Sequence, residues 1–495
     1  MIESSFQVMI PERQLKTPLF DALVSLAESR KVSFHTPGHK SGKGISTRFK
    51  KFVGPKIFSI DLTTLDEVDC LQKPVGVIKE AQKLAAEAYG AEHSFFLING
   101  TTVGNHAMVL AACNPGDEVL VGRNAHKSIL AGVILSGACP RFFMPEWDSD
   151  LGISLNVSLE KVKCALDQNP KAKALIITSP NYYGIAADLF PIFAAARERG
   201  VLILVDEAHG PHLHFHPNLP STALEAGADL CVQSTHKILG GMTQSSMLHT
   251  KGDRINLGRL QGVLQLMQST SPSYVLMASL DLARMQMATE GKKLLDKAIH
   301  LAEEARRRIR GIEGIACFGR PEIQAHPGFD LDVTKLTISA RSLGITGFQA
   351  SLTLNNESDV QVEMADLFNL LVIVSIGDRQ DDLDRLVSGL ERIAESASGR
   401  EDRPIEIIFP PVGGTLRVLP REAYFAPRVY LNLQEATGKI SSDIVTIYPP
   451  GIPLLIPGEE ISLEIAEYLE VMAVRGARID GLRDGPPLQI GVLAD

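Results

Sequence analysis

Between residues 75 and 233 the chain alternates short apolar runs with longer stretches in which apolar residues recur every three or four positions. The runs Ser94–Ile98, Glu118–Val121, Ala174–Thr178, Val201–Val205 and Leu230–Gln233 predict strands. The stretches Val75–Tyr89, Val103–Cys113, Lys127–Ser136, Leu159–Gln168 and Leu189–Arg199 predict helices. Strand and helix in this rhythm predict a mostly parallel sheet covered on both faces. Asn114-Pro115-Gly116-Asp117 and Ala226-Gly227-Ala228-Asp229 supply turns just ahead of two strands. A long helix is predicted from about Tyr274 to Ile309, ending in Arg306-Arg307-Arg308, a basic run that suits a helix C-terminus. Gly291 weakens that helix and marks a place for a bend. Beyond residue 311 strands and helices alternate more closely, with Val333–Ala340 and Leu370–Ile376 among the strands.

At 495 residues the chain is too long for one hydrophobic core. The expected division is an N-terminal segment over 1–70, a large domain over 71–310 and a smaller C-terminal part over 311–495. With 49 Lys and Arg against 58 Asp and Glu, the formal charge is −9, a poor balance for wrapping nucleic acid. No apolar stretch nears the roughly 18 residues of a membrane span. Met1-Ile2-Glu3-Ser4-Ser5 lacks the pattern of a signal peptide. Six cysteines without CxxC spacing read as free thiols, so a cytoplasmic protein is expected.

Four motifs at predicted strand ends carry candidate chemistry. Ser234-Thr235-His236-Lys237 follows Leu230–Gln233, and a lysine shielded there would lose its proton readily and act as an amine nucleophile. A lysine that merely closes a loop gives the same local pattern. Val201–Val205 ends in Asp206-Glu207-Ala208-His209, which puts a carboxylate at the sheet edge where open α/β sheets bind ligands. An Asp that only caps a helix is the bland alternative. Asn99-Gly100-Thr101-Thr102-Val103-Gly104-Asn105 enters a helix and offers backbone N–H groups and hydroxyls to a phosphate. His126, in Arg123-Asn124-Ala125-His126-Lys127-Ser128, could stack on an aromatic cofactor or be an ordinary loop histidine. Together these are the parts that pyridoxal 5′-phosphate (PLP) requires.

Gly38–Gly44 fails the Walker spacing and receives no nucleotide role. His212, His214 and His216 would share one side of an extended segment as metal ligands, but Pro211 and Pro217 bracket them and favour a polar loop, so no metal is assigned. His35 and His39 read as structural or interface residues.

With these motifs assembled, the sequence resembles the class-I ornithine/lysine/arginine decarboxylase family. The resemblance runs through Thr17-Pro18-Leu19-Phe20-Asp21-Ala22-Leu23, His35-Thr36-Pro37-Gly38-His39-Lys40 and Asp61-Leu62-Thr63-Thr64-Leu65-Asp66. It continues through the four motifs to Tyr448-Pro449-Pro450-Gly451-Ile452-Pro453 and Pro457-Gly458-Glu459. The space before residue 17 resembles the short, biosynthetic form. The resemblance implies a PLP-dependent α/β protein of fold type I, aspartate-aminotransferase-like, with a mostly parallel large-domain sheet and a smaller α+β C-terminal domain. It implies Lys237 as the covalent anchor of PLP, Asp206 at the ring nitrogen, and His126 and Ala208 on the two ring faces. Thr101, Thr102, Ser234 and His236 would hold the phosphate, His209 would lie near the ring, and Glu459 would meet the distal cationic end of the substrate. The implied reaction is decarboxylation of a basic amino acid, arginine to agmatine for polyamine synthesis, with lysine or ornithine as alternatives and an aminotransferase as a more distant one. A homodimer or higher homo-oligomer is implied, with no nucleic-acid or membrane partner.

Overall fold

The computed structural model describes residues 12–29, 31–397, 404–411, 413–448, 451–483, 485 and 487–494. The leader reading at residues 1–5, and Pro449 and Pro450 of the Pro-rich motif, lie outside the described residues.

Seven strands form the central sheet: β1 (His93–Leu97), β2 (Glu118–Gly122), β3 (Cys139–Phe143), β4 (Ala174–Thr178), β5 (Leu202–Asp206), β6 (Leu230–Gln233) and β7 (Ser246–Thr250). Their spatial order is β1-β7-β6-β5-β4-β2-β3. Strands β3, β2, β4, β5 and β6 run parallel, while β7 is antiparallel to both β6 and β1. The central runs read as continuously apolar because both faces are buried. Leu120, Leu175, Ile177, Ile203 and Val205 join one core, and Val119, Val121, Ile176, Leu204 and Val232 the other. Register aligns the carboxyl ends: Thr178 is opposite Asp206, and Asp206 is opposite Val232.

The helix Gly100–Ala112 lies hard against this sheet, and Gly104 permits it: a Cβ there would fall 2.3 Å from Val232 Cγ2. The helices Lys127–Ser136 and Leu159–Gln168 have the predicted limits.

The long helix spans Tyr274–Arg310, 37 residues. Near its start, Asp281 accepts from the Leu19 and Phe20 N–H groups at 3.0 and 3.3 Å, and Arg284 donates to the Gln14 carbonyl at 2.7 Å. Gly291 serves packing: a Cβ there would lie 3.2 Å from Phe215 Cβ. At the far end Arg306 turns inward and donates to the carbonyls of Phe318, Val333 and Lys335. The basic run therefore does more than complement a helix terminus.

After this helix, Ala316–Cys317, Lys335–Ser339, Leu370–Ile373 and Met364–Ala365 form an antiparallel four-stranded sheet with its own core. A second core follows around the helix Leu463–Val474 and the strands Val445–Tyr448, Ile452–Leu455 and Arg478–Asp480.

Candidate active site

The carboxyl ends of β5 and β6 gather the candidate chemistry. β5 ends in Asp206, and β6 runs into the short helix Thr235–Ile238, which carries Lys237. Asp206 is 2% exposed; its Oδ2 accepts from Asn105 Nδ2 at 2.8 Å and its Oδ1 from the Ala208 N–H at 3.2 Å. The Asn105 amide also donates to Ser128 Oγ at 2.8 Å. The Ser128 hydroxyl and backbone N–H in turn meet His126 Nδ1 at 2.8 and 3.2 Å. Because Nδ1 accepts a backbone N–H, the proton of neutral His126 resides on Nε2. Burial holds His126 below the usual histidine pKa, with Asp206 opposing that shift. One amide thus steadies both the carboxylate and the Ser128 hydroxyl that meets His126.

Lys237 Nζ lies 2.8 Å from His209 Nε2. The Tyr182 ring closes this pair, 5.4 Å from Nζ and 4.7 Å from the imidazole, centre to centre. Desolvation lowers the Lys237 pKa, with Asp206 and Glu363 opposing. Desolvation also pushes His209 well below its ordinary value, and the Lys237 charge adds to the effect. A neutral His209 can accept from the lysine amine. Its buried Nδ1 has no hydrogen-bond partner.

Thr101 Oγ1 and Ser234 Oγ lie 3.1 Å apart where the helix Gly100–Ala112 begins, and Thr102 is exposed in the same turn. Gly100 takes φ +69°, a conformation suited to glycine, and its N–H donates to the Gln244 carbonyl at 2.9 Å. His236 Nδ1 contacts the Ser245 carbonyl at 2.9 Å. Hydroxyls and a helix N-terminus together form a cradle for an oxyanion.

Glu207, next to Asp206, faces away and is bound by the Ala223 N–H and Gln233 Nε2, both at 2.7 Å. Glu459 lies with Arg123: its two oxygens are 3.2 and 3.0 Å from Arg123 Nη2, and Oε2 also accepts from the Ile456 N–H. Burial pushes Glu459 up to about 7, partly offset by Arg123. The structure therefore brings Glu459 to the segment that leads into His126 rather than to the Lys237–His209 pair. His212, His214 and His216 occupy a tight turn rather than an extended run, and each faces a different carboxylate: Asp332, Glu225 and Asp296. Among the described residues no three His, Cys, Asp or Glu side chains gather as a metal site.

The sequence matches Orn/Lys/Arg decarboxylase, major domain, over residues 17–382 and the C-terminal domain of the same group over residues 420–484. The chain belongs to the Orn/Lys/Arg decarboxylase family. The family relatives include a Bacillus subtilis protein named arginine decarboxylase, 42% identical over 97% of this chain and 99% of its own length. A Bacillus anthracis arginine decarboxylase is 41% identical over 95% of this chain and 96% of its own. A lysine decarboxylase of Pseudomonas aeruginosa is 26% identical over 92% of this chain and 76% of its own. Among solved structures, the Francisella novicida lysine decarboxylase shares the fold with a TM-score of 0.84 at 24% identity, over 97% of this chain and 82% of that one. An alanine–glyoxylate aminotransferase from Nostoc sp. gives a TM-score of 0.52 at 20% identity, over 64% of this chain and 86% of that one. The decarboxylase family thus sits on an α/β fold shared with aminotransferases, fold type I, with a mostly parallel central sheet and smaller C-terminal parts. The family implies pyridoxal phosphate as coenzyme.

Proposed function

We propose that this chain decarboxylates L-arginine to agmatine and CO₂, with PLP carried on Lys237. The observation that carries the reading is the desolvated Lys237 amine against neutral His209, one strand from the buried Asp206 carboxylate. The residues present fit the coenzyme. Thr101, Thr102, Ser234 and His236 would take its phosphate, Asp206 its ring nitrogen, and His126 and Ala208 its two faces. When bound, PLP supplies a sink for the electron pair left behind as CO₂ departs. Asp206 contributes a negative charge that favours a protonated ring nitrogen, and Asn105 keeps that carboxylate aimed. His126 presents an apolar ring face whose orientation Ser128 fixes. His209 lies within hydrogen-bond distance of the Lys237 amine and, being neutral, can accept from it, while burial is what favours the amine's neutral form.

Arginine is favoured over lysine because relatives named arginine decarboxylase are 41–42% identical to the chain, whereas those named lysine decarboxylase are 25–26% identical. Purified protein supplied with PLP and each of arginine, lysine and ornithine should release CO₂ chiefly from arginine, with agmatine as product. A keto acid with no CO₂ would replace this reading with transamination.

The proposed assembly is a homodimer acting in the cytoplasm. Phe34 and Phe52 are 92% and 90% exposed, and Val32, Phe49 and Val75 add apolar surface in the same N-terminal stretch, which a second copy would cover. All six cysteines are unpaired, as a reducing compartment favours. Light scattering should give at least twice the chain mass; a fully active monomer would exclude the dimer. Among the described residues no helix is long and apolar enough to cross a membrane.

A further inference from the structure

The strand Lys335–Ser339 begins with a lysine that is 1% exposed and whose ammonium nitrogen has no hydrogen-bond partner. A buried ammonium without a partner is costly, and its presence calls for an anion that arrives later. Two bridges carry this lysine to the active site. Gly184, two residues after Tyr182, lies against its stem, where a Cβ would fall 2.6 Å from Lys335 Cγ. Asp332 Oδ2 lies 3.1 Å from Nε2 of His212, three residues after His209. Arg306 holds the strand from behind through the Val333 and Lys335 carbonyls, at 2.9 and 2.7 Å.

Asp332 does not neutralise Lys335 by a direct bond. Its Oδ1 is occupied by the Thr334 N–H and hydroxyl, at 3.0 and 2.6 Å. Burial lowers the Lys335 pKa to about 8 while Asp332 opposes the shift, so the group stays mostly cationic near neutral pH. Lys335 feels the charge of Lys237, and His209 feels that of Lys335.

We propose that Lys335 is the receptor for the α-carboxylate of the amino-acid substrate. The proposal rests on the decarboxylase reading above. The coenzyme phosphate already has its cradle at Thr101, Ser234 and His236, and the far end of a basic amino acid is cationic and repelled by Lys335. The α-carboxylate is the remaining anion that the reaction brings. A charge-assisted hydrogen bond to it would orient the bond to be broken. Departure of CO₂ then removes the anion that Lys335 had bound, and the cationic product is left facing an ammonium without a hydrogen-bond partner, which favours release.

The test uses holoenzyme carrying Lys335→Met or Lys335→Arg, with arginine as substrate and agmatine, the same side chain without the carboxylate, as competitive inhibitor. In Lys335→Met the KM for arginine should rise at least about tenfold while the Ki of agmatine stays within about twofold. Lys335→Arg should recover most of the loss. The thermal midpoint of Lys335→Met should equal or exceed that of the wild type, because an unpaired buried charge has been removed. An unchanged KM, a parallel rise of KM and Ki, or a marked loss of stability would each overturn the proposal. Wild-type protein that releases no CO₂ from any basic amino acid would instead overturn the decarboxylase reading itself.

Discussion

Lys237→Ala is expected to lower turnover of arginine by about 10³-fold or more, because the amine that would anchor the coenzyme beside His209 is removed. The truncated side chain loses its contact with His209, and alanine suits the short helix Thr235–Ile238, so the protein should still fold. Borohydride reduction of wild-type holoenzyme followed by peptide mass spectrometry should place the coenzyme adduct on the peptide containing Lys237. The variant should carry none and lack the associated visible absorbance. An adduct on another lysine, or an unaltered spectrum in the variant, would remove Lys237 from the mechanism.

Asp206→Asn is expected to keep the coenzyme but slow the chemical step. The asparagine retains the shape and can still accept from Asn105, although it offers one acceptor oxygen where Asp206 uses two, for Asn105 and the Ala208 N–H. What it loses is the charge. A unit charge about 4 Å from a protonated nitrogen, at an effective dielectric of about 20, contributes about 4 kcal/mol, or about 10³ in rate if all of it acts in the transition state. The expected signature is a fall in kcat approaching that size with coenzyme occupancy preserved by absorbance. A rate near that of the wild type would show that the ring nitrogen does not depend on this carboxylate.

How far the sequence revealed this protein depended on whether the deciding contacts were local. β4 and β6 have the limits read from their apolar runs, because a strand buried on both faces announces itself. β3 does not, since Pro140 and Arg141 interrupt it; it lies at the sheet edge, where proline is tolerated. β7 reads as polar through Ser246, His249 and Thr250, yet it is fully buried, because His249 pairs with Ser94 at 2.7 Å and lies against Tyr89. In the site, Asp206 and Lys237 could be picked out as polar residues at the ends of apolar runs. Tyr182 could not, since it matters only through neighbours brought by other segments, and Ser128 stood inside a noticed motif whose link to Asn105 is tertiary. Asn105 stood inside a noticed motif, but its reach to Asp206 and Ser128 is a tertiary fact. The Arg123–Glu459 pair joins residues 336 positions apart, beyond any local pattern. Lys335 did leave a trace: a charge inside the strand-like run Val333–Ala340.

The Tyr274–Arg310 helix acts as a gauge block. About 55 Å long at 1.5 Å per residue, it is fastened to the amino-terminal segment through Asp281 and Arg284 and to the Lys335 strand through Arg306. Inserting or deleting a single residue between those fastenings would turn one end by about 100° relative to the other and carry the strand away from its seat. Loops elsewhere in the chain can drift in length, but this rod is locked to whole-turn changes, each of which would also displace the strand by about 5 Å.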